Sequence, residues 1–139
     1  MRVHQETLEI RTSGRGMTGI TGKVAECVTR AGIKTGLVSV FCQHTSCSLL
    51  LMENADPTAR QDLEDWLARV APDGDPRYRH DAEGPDDMSA HLRMTLTRTQ
   101  ETLPIGDGQL LLGTWQGLFL CEHRTSPHQR SLVVTVCGS

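Results

Sequence analysis

Residues 102–137 read TLPIGDGQLLLGTWQGLFLCEHRTSPHQRSLVVTVC. Four apolar stretches alternate there with turn residues: Thr102–Ile105, Gln109–Gly113, Gly117–Glu122 and Ser131–Cys137. Gly106-Asp107-Gly108 is the kind of sequence that closes a tight hairpin, because its residues tolerate positive φ. Parallel partners need a crossover of a dozen or more residues, and these connections are short. The four stretches are therefore predicted to be antiparallel neighbours.

Working toward the N-terminus, Pro85 opens a predicted helix with Met88, His91, Leu92, Thr95 and Leu96 on one side. Residues 72–84 (PDGDPRYRHDAEG) form a polar, turn-rich loop that holds His80. Before it, Asp56-Pro57 supplies an N-cap followed by proline at the first helical position, a strong helix start. Leu63, Trp66, Leu67 and Val70 make the apolar stripe of that helix, which Pro72 ends. Gly36–Cys42 and Ser48–Met52 read as strands, as does Val3–Ile10. Thr18 is placed to cap a helix running to Ala31, with Ile20, Val24, Cys27 and Val28 at helical spacing and Gly32 as its stop. Strand, helix, two strands, two helices and a final run of strands make an α+β fold, mainly an antiparallel sheet packed with a few helices.

The chain has 139 residues, enough for a single domain spanning 1–139. Aromatics are only 4%, so Leu, Val and Ile must make the core. Fourteen Lys plus Arg against 17 Asp plus Glu give a net charge of −3, which argues against a nucleic-acid partner. The longest apolar runs, such as Leu49–Met52 and Leu110–Leu112, fall far short of the roughly 20 residues of a membrane helix. Five cysteines without a C-x-x-C pair, behind an N-terminus without an apolar signal segment, lead us to expect a cytoplasmic protein with reduced thiols.

Six histidines carry most of the chemical interest. His4 and His128 lie among polar residues near element ends and read as exposed. His44 follows directly on a buried strand, where a rigid element aims side chains at a loop-lined cleft. His80 has Asp81 beside it, His91 lies on the apolar-leaning side of its helix, and His123 ends another apolar strand in Glu122-His123-Arg124. These four are either unrelated polar residues with satisfied hydrogen bonds, or three of them converge. Converging neutral imidazoles, oriented by carboxylates such as Asp81 or Glu122, suit a divalent transition metal with an open position. No HExxH pattern is present. Side chains alternate along a strand, so Glu122 and Arg124 share one face and His123 takes the other.

Arg124 and Arg130, near the ends of neighbouring strands, are placed to grip a phosphate or carboxylate, with the Thr45 and Ser46 hydroxyls as further anion contacts. Those hydroxyls and that of Thr114 otherwise finish a strand or turn, since no G-x-S-x-G elbow surrounds them. No phosphate loop of either common type occurs. His44, Glu122 and His123 are the candidate acid–base groups. Trp115, between Gly113 and Gly117, reads as core or subunit-interface packing.

Four ordered blocks resemble the YjbQ family, whose members are conserved uncharacterised proteins also labelled secondary thiamine-phosphate synthase. They are Leu103-x-Ile105-x-x-Gly108 with Gly113-Thr114-Trp115-Gln116-Gly117-Leu118; His44-Thr45-Ser46 with Glu53-Asn54-Ala55-Asp56-Pro57; His80 with His91-Leu92-Arg93; and Glu122-His123-Arg124. Gln100 stands where that family usually has Ser, and Cys47 where a small Ala is common. The resemblance implies an α+β fold assembled as a homotrimer, with a cleft near the subunit contact that gathers His44, His80 and His91 as metal ligands. It also implies thiamine-phosphate synthase activity, which joins an aminopyrimidine diphosphate to a thiazole phosphate and releases pyrophosphate. Such a reaction needs anion contacts for the leaving group and a divalent ion. Imidazoles favour zinc, whereas diphosphate chemistry commonly uses magnesium held by oxygen.

Three functional expectations follow. The first is an enzyme acting on a small phosphorylated molecule, with thiamine-phosphate synthesis as a secondary reaction. The second is a metal-dependent hydrolase of a phosphorylated or acyl compound. The third is a trimeric module that binds a metal or anion without turnover.

Overall fold

The computed structural model describes residues Met1–Ser139. Its elements in chain order are β1 (Arg2–Arg11), β2 (Gly16–Gly19), α1 (Thr21–Ala31), β3 (Gly36–Cys42), β4 (Cys47–Glu53), α2 (Pro57–Val70), α3 (Asp87–Leu96), β5 (Gln100–Gly106), β6 (Gln109–Leu110), β7 (Gln116–Glu122) and β8 (Gln129–Gly138). A five-stranded sheet has the order β1-β8-β3-β5-β6 and a three-stranded sheet the order β2-β7-β4. Every strand pair is antiparallel. The α+β expectation therefore holds.

The alternation of side chains along the strands decides the layers. Val38, Val40, Cys42, Leu103, Ile105, Leu132, Val134 and Val136 point from the larger sheet into one core, where Cys47, Leu49, Leu118 and Leu120 of the smaller sheet meet them. Helix α1 adds Val24, Cys27, Val28 and Ala31 to the same core. The other parity of β7 is also buried. There Phe119 lies under the Arg60 guanidinium of α2, 4.9 Å from the ring centroid. The smaller sheet is thus a middle layer between the larger sheet and α2–α3.

Two glycine-dependent details fix the larger sheet. Asp107 and Gly108 both have positive φ (50° and 76°), the signature of a two-residue I′ turn joining β5 to β6. Gly36 lies opposite Gly138 in the β3–β8 ladder, where a Cβ would sit 2.0 Å from the Cys137 carbonyl oxygen. Only glycine allows that approach.

Several expectations need correction. Residues Gly16–Gly19, including Thr18, form β2 on the edge of the smaller sheet; α1 starts at Thr21 without a side-chain cap, though Gly32 does end it in the left-handed conformation. β7 does not neighbour β6 or β8 but pairs with β4 and β2, so the four C-terminal strands divide between two sheets. The apolar runs fixed which segments are strands, but not which sheet each joins. Asp56 does cap α2, accepting from the Thr58 amide, yet only Leu67 of its apolar stripe is buried. The buried residues of α3 are Asp87, Ser89, Ala90 and Arg93, and the three polar ones are held by polar partners: Asp87 by Arg124, Ser89 by Asp73, and Arg93 by the Ala71 carbonyl and Glu64.

His123 is fully buried in that layer. Its Nε2 lies 2.8 Å from the Ser48 hydroxyl, and Nδ1 has no partner. Burial, followed by the positive charge of Arg93, pushes its pKa down to about 3. The residue is therefore a neutral packing element and not an acid–base group at neutral pH. As pH falls below the ordinary value near 6.5, the unfolded chain takes up a proton that the folded chain refuses until about pH 3. Stability falls across that window, by about 3 kcal/mol at pH 4. Urea unfolding at pH 7 and pH 4 should show the wild type losing about that much more than His123→Gln, and equal losses would contradict the assignment.

Candidate functional site

Asp87 and His91 are four residues apart on α3 and so share one face. His80 reaches them from the loop before the helix. That loop is closed at its neck by the Gly74 amide donating to the Pro85 carbonyl at 2.9 Å. It is pinned by the bidentate Arg15–Asp73 pair and by the Arg124 guanidinium on the Glu83 carbonyl. Both rings are directed at one atom: His80 Nε2 lies 2.8 Å and His91 Nε2 3.2 Å from Asp87 Oδ2. His91 Nδ1 donates to the Thr45 carbonyl at 2.6 Å, which sets the ring's orientation. The ligand atoms of His80, Asp87 and His91 all lie within 4.8 Å of one another. Asp87 is 2% exposed, while the His80 side chain is 52% and that of His91 27% exposed, so the cluster has a buried floor and an open side.

Arg124 builds the floor. Its guanidinium donates to Asp87 Oδ1 at 2.9 Å and to Asp86 Oδ2 at 3.0 Å. Thr125 adds its amide and hydroxyl to Asp86. Burial alone would raise the Asp86 carboxyl, but Arg124 and then Thr125 hold it well below the usual carboxylate range. On the open side a groove of about 530 Å³ is lined by Thr45, His80, Met88, His91, Met94 and Thr95.

The other expected site residues are placed differently. His44 is half-buried, and its Nε2 accepts from the Ser131 amide at 2.8 Å, so it stands apart from His80 and His91. Burial, then the charge of Arg130, lowers its pKa. Glu122 and Arg130 form a buried fork-to-fork ion pair, with Arg130 Nε 2.8 Å from Oε1 and Nη2 2.5 Å from Oε2. Thr12 donates to the same carboxylate at 2.7 Å. Burial raises the Glu122 carboxyl, but Arg130 and Thr12 outweigh it and the net shift is downward. A base for neutral pH needs the opposite shift. Ser46 Oγ accepts from Arg130 at 2.9 Å, and Thr45 is exposed and contributes its carbonyl instead of its hydroxyl. Arg124 and Arg130 are thus each taken by carboxylates of this chain, and they do not form a shared anion grip.

The carboxylate that orients the histidines is Asp87, not Asp81 or Glu122. Its signal was present as D-x-x-x-H, the spacing of one helix face. Chemically the cluster offers two imidazole nitrogens and one carboxylate oxygen toward a groove, a donor set that fits a divalent transition metal. Glu122 does structural work, so Glu122→Gln should cost about 3–5 kcal/mol by leaving Arg130 an uncompensated buried charge. An unchanged urea midpoint at pH 7 would restore Glu122 as a candidate base.

The comparisons with known proteins agree with the fold. The family model described as UPF0047 protein YjbQ-like matches residues 6–139. The UPF0047 protein sll1880 of Synechocystis is 50% identical over 137 residues, covering 99% of this chain and 93% of that protein. The UPF0047 protein YjbQ of Escherichia coli O157:H7 is 38% identical over 136 residues, covering 97% of this chain and 98% of that one. The crystal structure of a conserved hypothetical protein from Thermus thermophilus superposes with a TM-score of 0.85 at 39% identity, covering 95% of this chain and 99% of that one. An uncharacterised conserved protein of the yjbq/upf0047 family from Clostridium acetobutylicum does so at 0.87 and 32%, with coverages of 95% and 99%. With nearly the whole chain matched in sequence and in fold, this protein belongs to the YjbQ-like UPF0047 family.

Proposed function

We propose that His80, Asp87 and His91 hold a divalent transition metal, zinc by the chemistry of its ligands, and that the protein is a metal-dependent enzyme acting on a small molecule bound in the adjoining groove. The observation that carries the reading is a conflict of lone pairs at His91. Its Nδ1 faces a carbonyl oxygen at 2.6 Å, so Nδ1 bears the proton and Nε2 of the neutral ring is an acceptor. That acceptor lies 3.2 Å from a carboxylate oxygen, a second acceptor. Two acceptors face each other stably only with a cation or an extra proton between them. A metal satisfies both, and the Thr45 and Arg124 contacts are the outer partners that ligating histidines and carboxylates usually have. Such an ion supplies Lewis-acid polarisation of an oxygen-bearing substrate. The chain's own part is to fix the two rings through Thr45 and Asp87 and to shape the groove with Met88 and Met94.

Elemental analysis of untagged protein should find about one zinc or similar ion per chain, lost in His80→Ala, Asp87→Asn and His91→Ala but kept in His44→Ala. Arg124→Gln should weaken binding about 10–100-fold. A wild type that takes up no ion even with added zinc would overturn the reading. Hydrolysis fits these residues better than thiamine-phosphate synthesis, whose diphosphate leaving group calls for free cations, while Arg124 and Arg130 are already paired with carboxylates.

We also propose a homotrimer. The outer face of the larger sheet supports self-association: Val3 and Leu37 flank Cys137 in one row and are 66% and 48% exposed, with Phe41, 44% exposed, beside Val133. Sedimentation equilibrium should give about three times the 15.3 kDa chain mass, and Leu37→Glu with Phe41→Glu should lower it. A monomeric wild type would remove the trimer.

A further inference from the structure

The end of β3 and the start of β4 bring two cysteines together across the boundary between the sheets. Cys42 Sγ and Cys47 Sγ are 3.2 Å apart, inside the ordinary contact distance of two sulfurs, and Cys42 Sγ also lies 3.5 Å from the Cys47 carbonyl. Both residues are buried, at 1% and 0% exposure, and all five cysteines are free thiols. No other pair of cysteines in the chain is in sulfur contact. The four residues between them, Gln43-His44-Thr45-Ser46, form a turn in which Gln43 and Thr45 face solvent while His44 is half-buried and Ser46 is buried.

We propose that Cys42 and Cys47 are a modification site, an intrachain dithiol that closes to a disulfide when the protein meets a small peroxide and reopens with a dithiol reductant. The distance to be closed is small, since a disulfide needs about 2.05 Å between sulfurs. The local chemistry favours one sulfur as the nucleophile. The Cys47 thiol hydrogen-bonds to Cys42 and lowers its pKa, and the same contact holds Cys47 protonated. The Cys42 thiolate attacks the O–O bond of hydrogen peroxide, taking one oxygen as a sulfenic acid and releasing the other as water after proton uptake. The Cys47 sulfur then attacks the sulfenic sulfur and expels a second water. In sum, two thiols and one peroxide become one disulfide and two waters. Burial restricts the reaction to small oxidants and to moments when the 43–46 turn opens.

Closing the bond acts on the candidate site through Thr45, whose carbonyl orients His91. This link rests on the proposed metal reading; the bond itself does not.

Digestion with trypsin makes the test clean, because Thr35–Arg60 contains Cys42 and Cys47 and no other cysteine. Folded protein exposed to hydrogen peroxide, then denatured and alkylated, should yield that peptide unalkylated and lighter by two hydrogen masses, and a dithiol reductant should reverse this. Cys47→Ala, which replaces one small side chain with another, should fold normally and give Cys42 oxygen adducts instead. Recovery of the wild-type peptide doubly alkylated, or with Cys42 carried on to sulfinic acid, would overturn the proposal. Zinc affinity measured on the same oxidised sample should fall about tenfold. Unchanged affinity with the bond present would sink only the link to His91, and absence of zinc binding before oxidation would sink only the metal reading.

Discussion

The buried ion pair of Glu122 and Arg130 is where both sheets are tied together. Glu122 ends β7 of the smaller sheet and Arg130 lies near the start of β8 in the larger one. The same two side chains take up Thr12, just beyond β1, and Ser46, in the turn between β3 and β4. A buried ion pair is stable only when its remaining hydrogen-bonding positions are filled, and Thr12, Ser46 and the Arg124 amide fill them. Strand alternation then distributes the next two residues. His123 turns to the opposite side, against Ser48 under α3, and Arg124 leaves the strand toward the N-terminus of that helix. Three consecutive residues thus fix the two sheets to each other, the helical layer to the sheets, and the candidate site to the helix.

Much of the fold could be read from periodicity and turn chemistry, and much of the site could not. The hairpin at Asp107-Gly108, the Asp56-Pro57 start of α2 and the strands around Val38 and Leu49 all follow from local rules. What failed was long-range assignment. β7 is apolar on both parities because both of its faces are covered, and such a run does not say which neighbours it takes. Thr18 reads as a cap because a helix does follow, yet residues 16–19 pair with β7 as an edge strand despite their two glycines, a long-range contact that no local rule shows. His80 and His91 were identifiable as chemistry-bearing residues, and the family resemblance grouped them. Asp87 escaped because charge at a helix N-terminus has an ordinary explanation in the helix dipole. Arg124 and Arg130 read as free cations because a sequence shows charges without their partners. Here Asp86, Asp87 and Glu122 claim them.

Those partners also determine what the site can hold. Asp86 and Asp87 carry two negative charges against the single positive charge of Arg124, which leaves the floor of the cluster with a net charge of about −1 beneath two imidazoles. A divalent ion there would be attracted and only partly neutralised, and it would keep the residual positive charge that polarises a bound oxygen. Arg124 serves both ends of this balance. By holding Asp87 Oδ1 it leaves Oδ2 as the oxygen toward which both histidines converge, and by sharing its charge with Asp86 it avoids repelling a cation. A dianionic ligand meets the opposite situation, since the local carboxylates face it and the local guanidiniums are already engaged. The same arginine that reads in the sequence as an anion grip is, in its folded setting, already held by two carboxylates of its own chain.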